Sequence, residues 1–224
     1  MPQTIKFNNS SYLELFLGPM FSGKTSKLIE IYNDCQILNL PVVAINFNED
    51  NRYGTNDTTL SSHNLNTIPC ASAGEELYEL YNPEGFNIEN INDKIEKGEK
   101  IPVNQQISCA KVILINEAQF FTDLDKWVIN MLNTAIKPSI FIAGLDGDFN
   151  KEKFGKILDL IPHCDKVSKL SAVCNNCNNN QKAIFSHRTH NSSQSQKVIG
   201  HSNFYKAVCR NCFNILSPQN NYFT

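Results

Sequence analysis

Three groups of residues in this 224-residue chain have the types and spacing that chemistry demands. The first is Gly18-Pro19-Met20-Phe21-Ser22-Gly23-Lys24-Thr25, which fits G-x-x-x-x-G-K-[ST]. Glycines let a loop curl until several N–H groups point at one set of phosphate oxygens. A helix opening near Lys24 adds the positive end of its dipole. Lys24 can reach the β- and γ-phosphates, and the Thr25 hydroxyl can bind Mg²⁺. The segment therefore predicts ATP binding.

The second group is Asn116-Glu117, at the end of the apolar run Val112–Ile115. P-loop enzymes commonly end such a strand in an acid that helps hold Mg²⁺. Side chains at the carboxyl ends of parallel strands face the ligand crevice. Glu117 can accept a proton from an attacking hydroxyl there, or support the metal. An ordinary solvated glutamate is the alternative.

The third group is Cys174/Cys177 and Cys209/Cys212, two C-x-x-C pairs separated by 31 residues. Four thiolates suit tetrahedral Zn²⁺ and leave no open position, so the expected role is structural. A small domain with little core of its own needs such a staple. A redox pair is the alternative, but two pairs in a reducing compartment fit metal better. His187, His190 and His201, between the pairs, read as solvated loop residues. Cys35, Cys70, Cys109 and Cys164 are scattered and read as filler.

Positioning these groups takes an α/β fold. The run Tyr12–Leu17 reads as a strand, followed by the glycine loop, a helix over about 24–38 and a strand over 41–47. That order makes a βαβ unit and favours a parallel sheet. Further strands are expected at 111–115 and 139–145. Helices are expected at 75–81, at 124–135 with Leu124, Val128 and Leu132 on one face, and at 154–161. The polar stretch 82–106 reads as a surface insertion. Composition shifts toward cysteine, asparagine and turn residues near Val173. The reading is a P-loop domain over 1–170, its parallel sheet flanked by helices, and a small zinc-binding domain over 171–224.

Formal net charge is −2, without a basic block. Only Lys182, Arg188, Lys197, Lys206 and Arg210 fall within 174–212, too few for a nucleic-acid platform. This weighs against a zinc-ribbon ATPase that binds nucleic acid. A non-catalytic nucleotide-binding protein is a further alternative. No apolar run approaches 18 residues, and MPQTIKFNNSSY lacks a secretory profile, so no membrane partner and a cytoplasmic location are expected.

Together the motifs resemble the thymidine kinase family of the cytosolic, zinc-containing type. The resemblance rests on LGPMFSGKTSKLI at 17–29, INEAQFF at 115–121, GLDGDFNKEKFG at 144–155, LSAVCNNC at 170–177 and VIGHSNFYKAVCRNC at 198–212. It implies transfer of the γ-phosphate of ATP to the 5′-hydroxyl of thymidine, with deoxyuridine also accepted, in a homotetramer. Glu117 takes the family's catalytic-base role, with Ala118, Gln119 and Phe120 following it in the site. Asp50, Asn51 and Arg52 match the family's D-x-R near the phosphates. Phe149 packs against the base. Gln196, Lys197, Val198, Ile199 and Gly200 match the family's loop that covers the substrate, with Tyr205 beside it. Ser186 falls where the family often has threonine in the same pocket. The family usually has aspartate where this chain has Asn116. An amide is a poorer hard-cation ligand than a carboxylate, so weaker Mg²⁺ affinity is expected, with Asn116 orienting a metal-bound water.

Overall fold

The computed structural model describes residues 10–48, 58–62, 65–84, 101–177, 179–189 and 204–217. Its largest feature is a six-stranded parallel sheet in the order β5-β2-β6-β7-β1-β8. These strands are β1 (Tyr12–Leu17), β2 (Val42–Phe47), β5 (Ala71–Ala73), β6 (Val112–Ile115), β7 (Ser139–Gly144) and β8 (Lys166–Lys169). A hairpin of β3 (Thr59–Ser61) and β4 (Thr67–Pro69) lies between β2 and β5 in sequence.

Near-continuous apolar runs mark strands buried on both faces, and the period of two divides them cleanly. Leu13, Leu15, Val43, Ile45, Ile113, Ile115, Ile140 and Ile142 join one core cluster. Phe16, Ala44, Val112, Leu114, Phe141 and Ala143 join the other. The first face is covered by α3 (Leu124–Leu132) and a 3₁₀ helix, Ile157–His163; the second by α1 (Lys24–Ile37). A short α2 (Val103–Cys109) leads into β6.

Glu14 is the exception to the apolar rule. It is fully buried at the sheet edge, where β8 satisfies it. Lys166 Nζ and Ser168 Oγ each donate to it at 2.9 Å, and Tyr12 donates at 3.0 Å. A buried carboxylate is tolerated only with such partners, so Glu14 specifies which segment closes this edge.

Three helix expectations are corrected. Residues 75–81 form turns, because Asp123 takes the Leu77 and Tyr78 amides, each at 2.9 Å. The helix expected over 124–135 ends at Leu132, and its buried face is Leu124, Trp127, Val128 and Met131. There the Asn133 amide and the Thr134 hydroxyl claim the carbonyls of Ile129 and Met131, competition that ends helices. The helix expected over 154–161 starts at Ile157 and is 3₁₀, because Gly155 sits at φ 62 and Pro162 lies inside.

After β8 the pairing becomes local. β9 (Ala172–Val173) pairs with β10 (Lys182–Ala183), and β11 (Phe185–Arg188) with β12 (Tyr205–Val208). A helix α4 (Arg210–Leu216) follows. Among the described residues their core is small: Ala183, Ala207, Val208 and Phe213 around the cysteines.

Candidate active site and cysteine cluster

The loop from Gly18 to Gly23 leaves the carboxyl end of β1 and opens α1. Gly18, Phe21 and Gly23 have φ of 155°, 63° and 82°. At Gly18 a Cβ would lie 2.6 Å from the Leu170 carbonyl oxygen, so the loop passes too close to the chain after β8 for a side chain. Gly23 caps α1 without a side-chain bond. The first turn thus presents backbone donors and the helix dipole to the loop. Lys24 folds over it, donating to the carbonyls of Gly18 (3.1 Å) and Pro19 (2.7 Å). The Ser22 hydroxyl is buried, with no hydrogen-bond partner among the described residues. An orphaned buried hydroxyl at the start of a helix fits a bound oxyanion.

Asn116 lies just beyond β6, on the α1 face by alternation. It is 2% exposed, and its backbone N–H donates to the Ile45 carbonyl at 2.9 Å. Thr25 Oγ1 donates to Asn116 Oδ1 at 3.2 Å, so the helix start and the strand end meet. Hydroxyl and amide oxygens are hard donors that suit Mg²⁺.

Glu117 follows in a left-handed conformation, φ 51° and ψ 39°, and is largely buried. Gln119 Nε2 donates to its Oε2 at 2.6 Å, and Gln119 Oε1 accepts the Leu145 amide at 2.9 Å. Gln119 is in turn hemmed in by two glycines. A Cβ at Gly155 would lie 2.1 Å from its carbonyl oxygen, and one at Gly144 would lie 2.9 Å from its Oε1. Ala118 is fully buried in the larger core. Phe120 stacks on Phe47 at 4.9 Å and meets Phe154 edge-on at 5.5 Å.

Phe149 and Tyr205 come together through a residue that no motif singled out. The Arg188 guanidinium carbon lies 3.6 Å from the Phe149 ring centre and 5.5 Å from that of Tyr205. Its Nη2 donates to the Tyr205 hydroxyl at 3.0 Å. The alternation in β11, which buries Ser186 and Arg188, is the signal that would have found it. Ser186 Oγ accepts the Met20 amide at 3.0 Å, and Phe21 packs against the cysteine-containing core. The glycine loop is thereby fastened to the C-terminal elements. Asp50, Asn51, Arg52, Gln196, Lys197, Val198, Ile199 and Gly200 lie outside the described residues.

Cys174, Cys177, Cys209 and Cys212 converge, with all four sulfurs within 4.8 Å of one another and Cys177 and Cys209 Sγ 3.9 Å apart. Zinc–sulfur bonds of about 2.3 Å in a tetrahedron require similar sulfur separations. The Cys209 amide donates to Cys174 Sγ at 3.2 Å. Burial acts to raise the Cys174 thiol, but backbone N–H groups of Cys209, Asn176 and Cys177 outweigh it and draw the thiol down, favouring thiolate. His187 is in the described part of the interval and bonds Ser217 at 3.2 Å. The four-cysteine donor set fits zinc.

A family model described as thymidine kinase matches residues 11–84 and 75–213. The chain belongs to the thymidine kinase family. It is therefore a phosphotransferase. Among its relatives, the thymidine kinase of vaccinia virus (strain Western Reserve) is 32% identical over 205 residues, 92% of this chain and 98% of that protein. That of Yaba monkey tumor virus (strain VR587) is 33% identical over 206 residues, covering 92% and 96%. That of variola virus (isolate Human/India/Ind3/1967) is 33% identical over 205 residues, covering 92% and 98%. Among the described residues, no helix is long and apolar enough to cross a membrane.

Proposed function

We propose that this chain transfers the γ-phosphate of ATP to the 5′-hydroxyl of thymidine, giving thymidine monophosphate for DNA-precursor salvage. The observation that carries the reading is the junction of the glycine loop with the end of β6, where Thr25 bonds Asn116 and Glu117 follows directly. Backbone N–H groups of residues 21–25 and the Lys24 ammonium hold the ATP phosphates, Lys24 exchanging its loop carbonyls for them. Thr25 would hold Mg²⁺, with Asn116 orienting a metal-bound water, and the ion would supply charge neutralisation for the phosphates. Glu117 accepts the hydroxyl proton as the oxygen approaches phosphorus in line, and Gln119 fixes the carboxylate for that task. Most of the rate comes from positioning and charge stabilisation.

Asp50, Asn51 and Arg52 complete the phosphate end, with Arg52 stabilising the transferring group. Gln196, Lys197, Val198, Ile199 and Gly200 cover the nucleoside, whose base lies by Phe149 and Tyr205. The family likeness supports acceptance of deoxyuridine, a homotetrameric assembly and a cytoplasmic location. A division into 1–170 and 171–224 is supported by the end of the large sheet at Lys169.

Incubating the protein with ATP and each of thymidine, deoxyuridine, deoxycytidine and single-stranded DNA tests this. Monophosphate forms from thymidine and deoxyuridine, and at most slowly from deoxycytidine. ATP hydrolysis stimulated by DNA, without a nucleotide product, would overturn it.

A further inference from the structure

Asn46 belongs to none of the phosphate-binding motifs, yet it reaches them. It sits on β2, one residue from the strand's end. Alternation sends it to the α1 face, because its neighbours Ile45 and Phe47 join the opposite cluster. It is 8% exposed. Asn116 Nδ2 donates to Asn46 Oδ1 at 2.9 Å, while Asn116 Oδ1 accepts from Thr25 at 3.2 Å.

The direction of these two bonds matters. A hydroxyl has one hydrogen and two lone pairs. With its hydrogen on Asn116, Thr25 keeps its lone pairs for a cation. If the Asn116 amide turned over, its NH₂ group would face Thr25 and occupy a lone pair. An aspartate at 116 has no such choice, because a carboxylate only accepts. An asparagine does, and something beyond it must hold the amide the right way round.

We propose that Asn46 is a positioning residue for the divalent cation of the phosphate site: by accepting from Asn116 Nδ2 it favours the orientation of that amide that keeps the Thr25 oxygen available to metal. This rests on the reading of residues 18–25 as the ATP site. Outer partners of this kind commonly change metal affinity by about 10–100-fold.

The test is the affinity for ATP, measured by calorimetry with and without Mg²⁺, on wild type, Asn46→Leu and Asn46→Asp, with thermal unfolding run alongside. Leucine neither donates nor accepts; aspartate accepts only. Asn46→Leu should lose roughly tenfold of the tightening that Mg²⁺ gives, with metal-free ATP affinity within about twofold of wild type. Asn46→Asp, which locks the amide, should keep that tightening or increase it. The proposal is overturned if Asn46→Leu keeps the full Mg²⁺ effect, if it weakens ATP binding equally with and without metal, or if Asn46→Asp loses the effect as leucine does. Should Asn46→Leu not fold, Asn46→Asp alone decides by the same criterion. If wild type itself binds ATP no tighter with Mg²⁺, the underlying reading of the site fails and the proposal goes with it.

Discussion

Glu117→Gln lowers kcat by about 10²–10⁴-fold, the range for loss of a positioned general base. The substitution keeps size and shape but removes the carboxylate proposed to take the proton. Its effect is confined to that role because the surroundings hold position independently. The left-handed backbone at φ 51° belongs to the turn entering the 3₁₀ segment Ala118–Phe120. Gln119 is itself pinned by the Leu145 amide and by the close approach of Gly144 and Gly155. A glutamine at 117 can still accept from Gln119 through its carbonyl oxygen, so the variant should fold and bind ATP within a few-fold of wild type. Steady-state kinetics with a thermal melt check this. A near-normal kcat removes Glu117 from the base role.

Loss of the metal should cost nearly as much by a different route. We expect one zinc per chain, and we expect chelation, or Cys174→Ser with Cys212→Ser, to unfold the C-terminal elements and abolish most activity. Among the described residues, the fully buried apolar ones of that cluster besides the cysteines are Ala183, Ala207, Val208 and Phe213. So small a core cannot offset the entropy of ordering β9 to β12 and α4. Structural zinc in small domains contributes apparent free energies of about 10–16 kcal/mol, which reverses the balance. The damage spreads to the ATP loop because Phe21 packs on this cluster and Met20 bonds Ser186. Metal analysis, thermal melts with and without chelator, and activity before and after zinc return provide the check. Finding no zinc, or unchanged melting and activity after complete removal, would contradict it.

Legibility in the sequence followed the physics of burial. Strands β1, β2, β6 and β7 announce themselves as apolar runs because both faces are covered. Two other strands of the sheet do not. β8 is Lys-Val-Ser-Lys at an exposed edge, recruited through the buried Glu14, and β5 has only three residues. Both are held by partners distant in sequence, which local patterning cannot show. The helix errors have separate causes: tertiary hydrogen bonds to Asp123 overrode local propensity at 75–81, while local side-chain bonds at Asn133 and Thr134 and the backbone demands of Gly155 and Pro162 reshaped the other two. The meeting of the glycine loop with the end of β6 and the convergence of the four cysteines were legible because their motifs have fixed spacing. Asn46, Arg188 and the Ser186 contact to Met20 were not. Their partners lie 70, 17 and 166 residues away in the chain.

The central claim is that the phosphoryl group goes to the nucleoside and not to water. Phosphorus-31 NMR of a reaction containing the protein, Mg²⁺, ATP and excess thymidine tests it most directly. The account predicts one thymidine 5′-monophosphate for each ADP formed, with negligible inorganic phosphate. ADP accompanied by equal inorganic phosphate, with thymidine left unchanged, would contradict it.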